Sequence, residues 1–313
     1  MGKRIVAIGG GHGLAIIVRA LKQIEDIDIT AIVTVADDGG STGRLRKYYN
    51  IPAMGDIRNV LLAMAESESL LQGLMDYRFE GDQEEDIVGH NLGNLILTAL
   101  TNSTGSFSES IAILAKVLNV KGKIIPSSQE IITLHAIMED GTIVRGEANI
   151  PDVRNRIQSV YYTEEVHAMP EAVDAILNAD VILYGIGSVY TSILPNIIIP
   201  DINLALKESK ATKVYLCNAM SQPGETDGYG VEEHASALID HGADIDIVLR
   251  SNDTIPLDIL RRYHEEGSHI VYKKMAEHPY KIMEASLLSF DDKVIRHDPN
   301  KLRLSLEKLF KEV

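Results

Sequence analysis

Four glycines around one histidine, Gly9-Gly10-Gly11-His12-Gly13, leave this chain little choice of fold. The turn follows a short apolar run at 4–8, rich in β-branched residues, and precedes 14–24, where apolar residues recur at helical spacing. A buried strand, a turn with almost no side chains and a helix, in that order, predict a strand–turn–helix unit. A second apolar run at 29–36, bounded by Asp37-Asp38-Gly39-Gly40, predicts the next strand. That is the first half of a doubly wound sheet, whose turn aims backbone N–H groups and a helix N-terminus at an anion. A tight turn without a ligand has the same local sequence. The dinucleotide fingerprint is incomplete, because Gly11-x-Gly13-x-x-Ile16 and Gly9-x-Gly11-x-x-Leu14 both lack the third glycine. Asp37 still stands where a dinucleotide fold places its ribose-binding acid.

The alternation continues. Helices are predicted at 57–65, 92–101, 108–118, 170–178, 201–207, 231–241 and 256–264, and strands at 180–184, 213–216 and 245–249. Between them, 133–138 and 142–147 flank Glu139-Asp140-Gly141, and Asp-Gly is a strong hairpin signal. The fold expected is α/β: a three-layer, mostly parallel sheet with an inserted antiparallel hairpin subdomain at about 124–150 and a C-terminal helix at about 298–311. No linker divides the chain, so 1–313 is read as a single domain.

Charge narrows the partners. Against 30 Lys+Arg stand 45 Asp+Glu, a net −15, the wrong sign for nucleic acid or an anionic membrane. A small phosphorylated ligand needs only a local positive pocket. The single cysteine, Cys217, excludes an intramolecular disulfide and a Cys-based zinc site. The uncharged stretch 181–200 carries Gly185, Gly187, Pro195 and Pro200, which fits a strand and a loop rather than a stable membrane insertion. With no signal peptide pattern, the expected location is cytoplasmic.

Five further segments carry chemistry. Asp37-Asp38-Gly39-Gly40-Ser41-Thr42-Gly43-Arg44 joins two carboxylates, flexible backbone, two hydroxyls and a cation. Ser41 and Thr42 can donate to phosphate, and the acids can take a metal or sugar hydroxyls. Gly55-Asp56-Ile57-Arg58-Asn59 opens a helix with Asp56 as N-cap. Arg58 in the first turn opposes the helix dipole, which calls for an anion or an ion pair. His90-Asn91-Leu92-Gly93-Asn94 opens another helix with Asn91 as N-cap, and Gly93 signals close approach of a ligand or of backbone. Gly187 and Ser188 follow a buried strand, and 217–229 does the same after the next. There is no G-x-x-x-x-G-K-[ST] loop, no G-x-S-x-G elbow and no H-E-x-x-H pair.

Together, D-D-G-G-S-T-G, G-D-I-R-N, H-N-L-G-N and C-N-A-M-S-Q-P-G-E-T resemble the family of 2-phospho-L-lactate transferase (CofD-like), within it the YvcK-type gluconeogenesis factor branch. The likeness runs from residue 4 to about 295. One departure is Gly185-Ile186-Gly187-Ser188, where the family usually has Gly-Pro-Gly-Ser. The resemblance implies a Rossmann-like fold, a homodimer and a nucleotide or nucleotide-sugar ligand. On this branch that ligand is UDP-N-acetylglucosamine, with a role in gluconeogenic growth and cell shape. Carried onto this chain, it implies that Gly10, Gly11, His12, Asp37, Ser41, Thr42 and Arg44 meet nucleotide, sugar or phosphate. Asp38 and Asp56 would hold a divalent metal such as Mg2+ or hydroxyls. Arg58, Asn59, His90, Asn91 and Asn94 would form a second wall, and Gly187, Ser188, Asn218, Gln222, Glu225 and Thr226 the closing one. The competing expectation is a metal-assisted phosphoryl-type transferase.

Overall fold

A seven-stranded parallel sheet forms the centre of the molecule. The structure, a computed structural model, describes residues 2–81, 86–274 and 277–313. Strands β1 (Lys3–Gly9), β2 (Ile27–Val33) and β3 (Lys123–Pro126) lie side by side. Strands β4 (His135–Met138), β5 (Ile143–Arg145) and β6 (Ile157–Tyr161) leave the main sheet and pair antiparallel with one another. The chain then returns with β7 (Val181–Gly185), β8 (Thr212–Leu216), β9 (Ile247–Ser251) and β10 (Lys281–Ala285). The spatial order is β10-β9-β8-β7-β1-β2-β3. Ile5, Ala7 and Ile8 of β1 and Ile182 and Leu183 of β7 are fully buried, as strands covered on both faces require.

That order fixes where a ligand can sit. From β1 the chain steps outward to β2 and β3, and from β7 it steps the opposite way to β8, β9 and β10. Right-handed crossovers running in opposite directions put their helices on opposite faces of the sheet. The order reverses between β1 and β7, so a crevice opens at the carboxyl ends of these two strands. Ile8 is in register with Tyr184, which places Gly9 beside Gly185 at the crevice floor.

Helix α1 (Gly11–Leu21) begins inside the glycine turn, three residues before the expected start. The segment 37–44 is only half a loop, because α2 (Gly40–Tyr49) starts at Gly40 and takes in Ser41, Thr42 and Arg44. Two glycines and two hydroxyls among its first four residues hide that helix from a propensity reading. Helices α3 (Gly55–Met64), α4 (Glu68–Met75), α5 (Leu92–Thr104), α6 (Phe107–Val117) and α7 (Pro170–Leu177) follow. α4 and β6 escape the sequence reading. So does β10, a sheet edge whose Lys281 and Glu284 break the apolar pattern. The antiparallel piece spans 135–161 rather than 124–150, since Lys123–Pro126 pairs with β2 and β6 supplies a third strand. The C-terminal helix runs Pro299–Glu312, with the Asp298 carboxylate accepting from the Asn300 and Lys301 amides.

Candidate functional site

The two glycine turns meet at the crevice. A Cβ on Gly13 would lie 1.8 Å from the Ile186 carbonyl oxygen, so only glycine lets the turns touch. A Cβ on Gly10 would lie 2.4 Å from the Asp56 Oδ2 atom. Asn196, fully buried, donates to the Gly9 carbonyl at 3.2 Å and ties the first turn to the chain that follows β7. The Gly185–Ile186 peptide is cis, and the chain leaves Ser188 in one turn of π-helix, Val189–Ile193. Such wide turns recur at functional sites. His12 lies in the first turn of α1 and is exposed.

Carboxylates dominate the crevice. Asp56 is not the N-cap of α3: that position is Met54, and the Asp56 carboxylate instead lies against Gly10 and Gly11 at the start of α1. A carboxylate therefore already fronts the anion-binding end of α1. Burial pushes its pKa up to about 7, and the charge of Asp37 adds to the rise. Asp37 is also raised, by burial first, while the Gly39 amide (2.9 Å) and Thr42 temper the shift. Arg46 supports this loop from below through the Ala36, Asp37 and Ile132 carbonyls. The sequence reading did not single it out.

The second wall is mostly sealed. Ser41 Oγ is 2.8 Å from His90 Nδ1, and Asn94 Nδ2 reaches Ser41 Oγ at 3.4 Å. All three residues are buried, so they clamp α2 to α5. Asn91 occupies the N-cap position of α5, but its side chain donates to the Asp76 carbonyl and does not cap. Arg58 meets its dipole conflict with an ion pair to Asp76 at 3.5 Å and a bond to Asn59 Oδ1 at 2.7 Å. Gly93 is explained without a ligand: a Cβ there would lie 2.8 Å from both Arg58 Cδ and the Met75 carbonyl. Arg44, exposed, donates to the Val88 carbonyl at 2.6 Å.

On the closing wall, Asn218 donates to the Gly187 carbonyl at 2.9 Å, Ser188 to Gln222 at 2.5 Å, and Gln222 to Glu225 at 2.6 Å. Thr226 accepts from the Gln222 amide. Glu225 is 2% exposed, and its Oε2 has no partner. Burial raises its pKa to about 7, with Thr191 and Ser188 tempering the rise. A residue that no motif flagged completes this lining: Glu147, just after β5. Its loop is held at both ends. The Ala148 amide donates to Asp38 Oδ1 at 3.0 Å, and a Cβ on Gly224 would lie 2.0 Å from the Pro151 carbonyl. Burial, followed by the charges of Asp37, Asp56, Glu225 and Asp38, pushes Glu147 up to about 8. Only the tertiary path of the insert brings it here, so no local signal could have found it.

Among the described residues no three carboxylate, imidazole or thiolate groups converge closely enough to hold a metal alone. Asp38 accepts from the Ala148 amide, and Asp56 lies against Gly10 and Gly11. Mg2+ is nevertheless compatible with this hard-oxygen lining, because it commonly takes one or two carboxylates and completes its shell with water and phosphate oxygens. A depression of about 930 Å3 lies against β1–β3, lined in part by Thr30, Lys123, Ala112 and Ala175. None of its lining residues has a buried polar atom without a partner, and on β1 and β2 it touches only the amino-terminal halves, Arg4–Val6 and Asp28–Thr30. The crevice is therefore the better candidate.

A sequence model described as 2-phospho-L-lactate transferase CofD matches residues 5–288. The gluconeogenesis factor of Bacillus subtilis (strain 168) is 44% identical over 99% of this chain and 98% of its own length. The gluconeogenesis factor of Halalkalibacterium halodurans is 45% identical over 96% and 94%. A crystal structure of a Bacillus halodurans protein superposes with a TM-score of 0.93 at 43% identity, covering 98% of this chain and all of that one. Among the described residues no single helix is long and apolar enough to cross a membrane.

Proposed function

The chain belongs to the 2-phospho-L-lactate transferase (CofD) family, alongside relatives named gluconeogenesis factors, and from that premise we propose that it binds a nucleotide sugar of the UDP-N-acetylglucosamine type. The reading makes it a cytoplasmic, homodimeric regulatory factor for growth on gluconeogenic carbon and for cell shape. One observation carries binding over covalent chemistry. The nucleophiles near the crevice are withdrawn: Ser41 is buried against His90, and the buried Cys217 thiol is pushed up to about 12. What surrounds the crevice is suited to holding a ligand: the glycine turn at Gly11, a wall braced by the Asn218–Gly187 and Gln222–Glu225 bonds, and an acidic lining. That lining repels phosphates, so the ligand brings a divalent cation with it.

Calorimetric titration with UDP-N-acetylglucosamine, GDP, NAD and free N-acetylglucosamine, each with Mg2+, tests this. The expected result is saturable binding of the nucleotide sugar and none of the free sugar. Failure of every nucleotide to bind at millimolar concentration would sink the reading. The match to the transferase model favours a second one, metal-assisted phosphoryl-type transfer. Sustained turnover of a nucleotide-activated donor in the same samples would favour it over simple binding.

A further inference from the structure

We infer that His90, flanked by Arg44 and Arg78, forms an oxyanion subsite in which Ser41 and Asn94 fix the imidazole so that Nε2–H points out as a donor. Hydrogen-bond direction carries this. Asn94 Nδ2 is a donor only, so at Ser41 the oxygen accepts from it, at 3.4 Å. That oxygen could accept a second bond, but among the described residues the Ser41 proton has no acceptor other than His90 Nδ1, 2.8 Å away, so the hydroxyl donates there. A neutral imidazole that accepts at Nδ1 carries its hydrogen on Nε2. Among the described residues Nε2 has no partner, and it is not among the buried atoms left without one. It therefore has access to a ligand.

Charge around this nitrogen favours an anion, in contrast to the carboxylates elsewhere in the crevice. Arg44 and Arg78, both exposed, bond the Val88 and Gly89 carbonyls just before His90. Burial, followed by the charges of Arg44 and Arg78, holds the imidazole pKa below its ordinary value, which favours the neutral ring. A neutral Nε2–H beside two guanidiniums suits the oxygens of a phosphate or carboxylate. The inference rests on hydrogen-bond geometry and not on the ligand proposed above. If a nucleotide sugar binds, this corner is where its phosphate charge is best tolerated.

The test is two-bond 15N–1H NMR of the full-length protein, with inorganic phosphate as the probe. His90 is assigned by its loss in His90→Gln. The expected spectrum shows the Nε2–H tautomer at pH 7.5, and added phosphate shifts the His90 Nε2 signals saturably. Ser41→Ala should mix the tautomers. Arg44→Gln and Arg78→Gln should each weaken phosphate binding by about threefold or more while leaving the Nε2–H tautomer in place. An Nδ1–H tautomer overturns the inference, and so does an Nε2–H tautomer whose signals ignore phosphate. Nucleotide-sugar binding without any phosphate response at His90 overturns the subsite and leaves the proposed function standing. A phosphate response without nucleotide-sugar binding does the reverse.

Discussion

Replacing Gly13 by alanine is expected to cost about 3 kcal/mol or more of stability, lowering the thermal midpoint by about 5–10 °C and abolishing ligand binding. The added Cβ would lie 1.8 Å from the Ile186 oxygen and 2.4 Å from its carbon. Both atoms are backbone, so no side-chain rotation relieves the clash. The two turns that frame the crevice would have to part. Gly73→Ala is the matched control. It lies in α4 with open space around its Cβ position, and alanine there should be neutral or stabilising by about 0.5–1 kcal/mol. Thermal melts of the two variants beside wild type settle the point. Equal midpoints for Gly13→Ala and Gly73→Ala would show that the turns are not in contact.

Without ligand, the protein is expected to lose stability as pH rises from 6.5 to 8.5. Asp56 and Glu225 have folded pKa values of about 7 and Glu147 about 8, all above the ordinary carboxyl values near 4. In that interval the folded state binds more protons than the unfolded chain, so unfolding free energy falls with pH. The slope approaches about 1.4 kcal/mol per pH unit for each proton held, and it ends once the folded groups have ionised. Other groups work in different windows. Asp253, held down to about 2 by Ser286 and the Leu287 and Leu288 amides, stabilises above pH 4 and fails only in strong acid. The buried His297, lowered to about 4, costs stability only as pH falls below about 6.5. Urea unfolding at pH 6.5, 7.5 and 8.5 should therefore show a decline in wild type that is shallower in Glu147→Gln. A flat or rising profile in wild type would mean that these carboxyls are not buried as the structure has them.

The glycine turns and the strand–helix alternation were legible because they are local: a glycine turn and an apolar run declare themselves within ten residues. The crevice position followed from them, since Gly9–Gly13 and Gly185–Ser188 both end buried strands. What stayed hidden depends on distant partners. Gly93 looked like a ligand signal, yet it makes room for the Arg58 side chain, and Arg58 itself pairs with Asp76 while its Nε and Nη1 keep no partner among the described residues. Asp56 looked like a cap, but its carboxylate turns to Gly11 on another element. Ser41 and His90, 49 residues apart, become one unit only after α2 docks on α5. Glu147 enters because the antiparallel insert folds back over the acids, which no spacing records.

An acid-lined crevice between β1 and β7 is expected to take a phosphorylated ligand together with a divalent cation. Calorimetric titration of the wild-type protein with UDP-N-acetylglucosamine, once in Mg2+ and once in EDTA, tests it most directly. Saturable binding is expected in Mg2+, weakening at least about tenfold in EDTA, because the carboxyl groups of Asp37, Asp38, Asp56, Glu147 and Glu225 then face uncompensated phosphate charge. Equal affinity in the two buffers, or binding in neither, would contradict it.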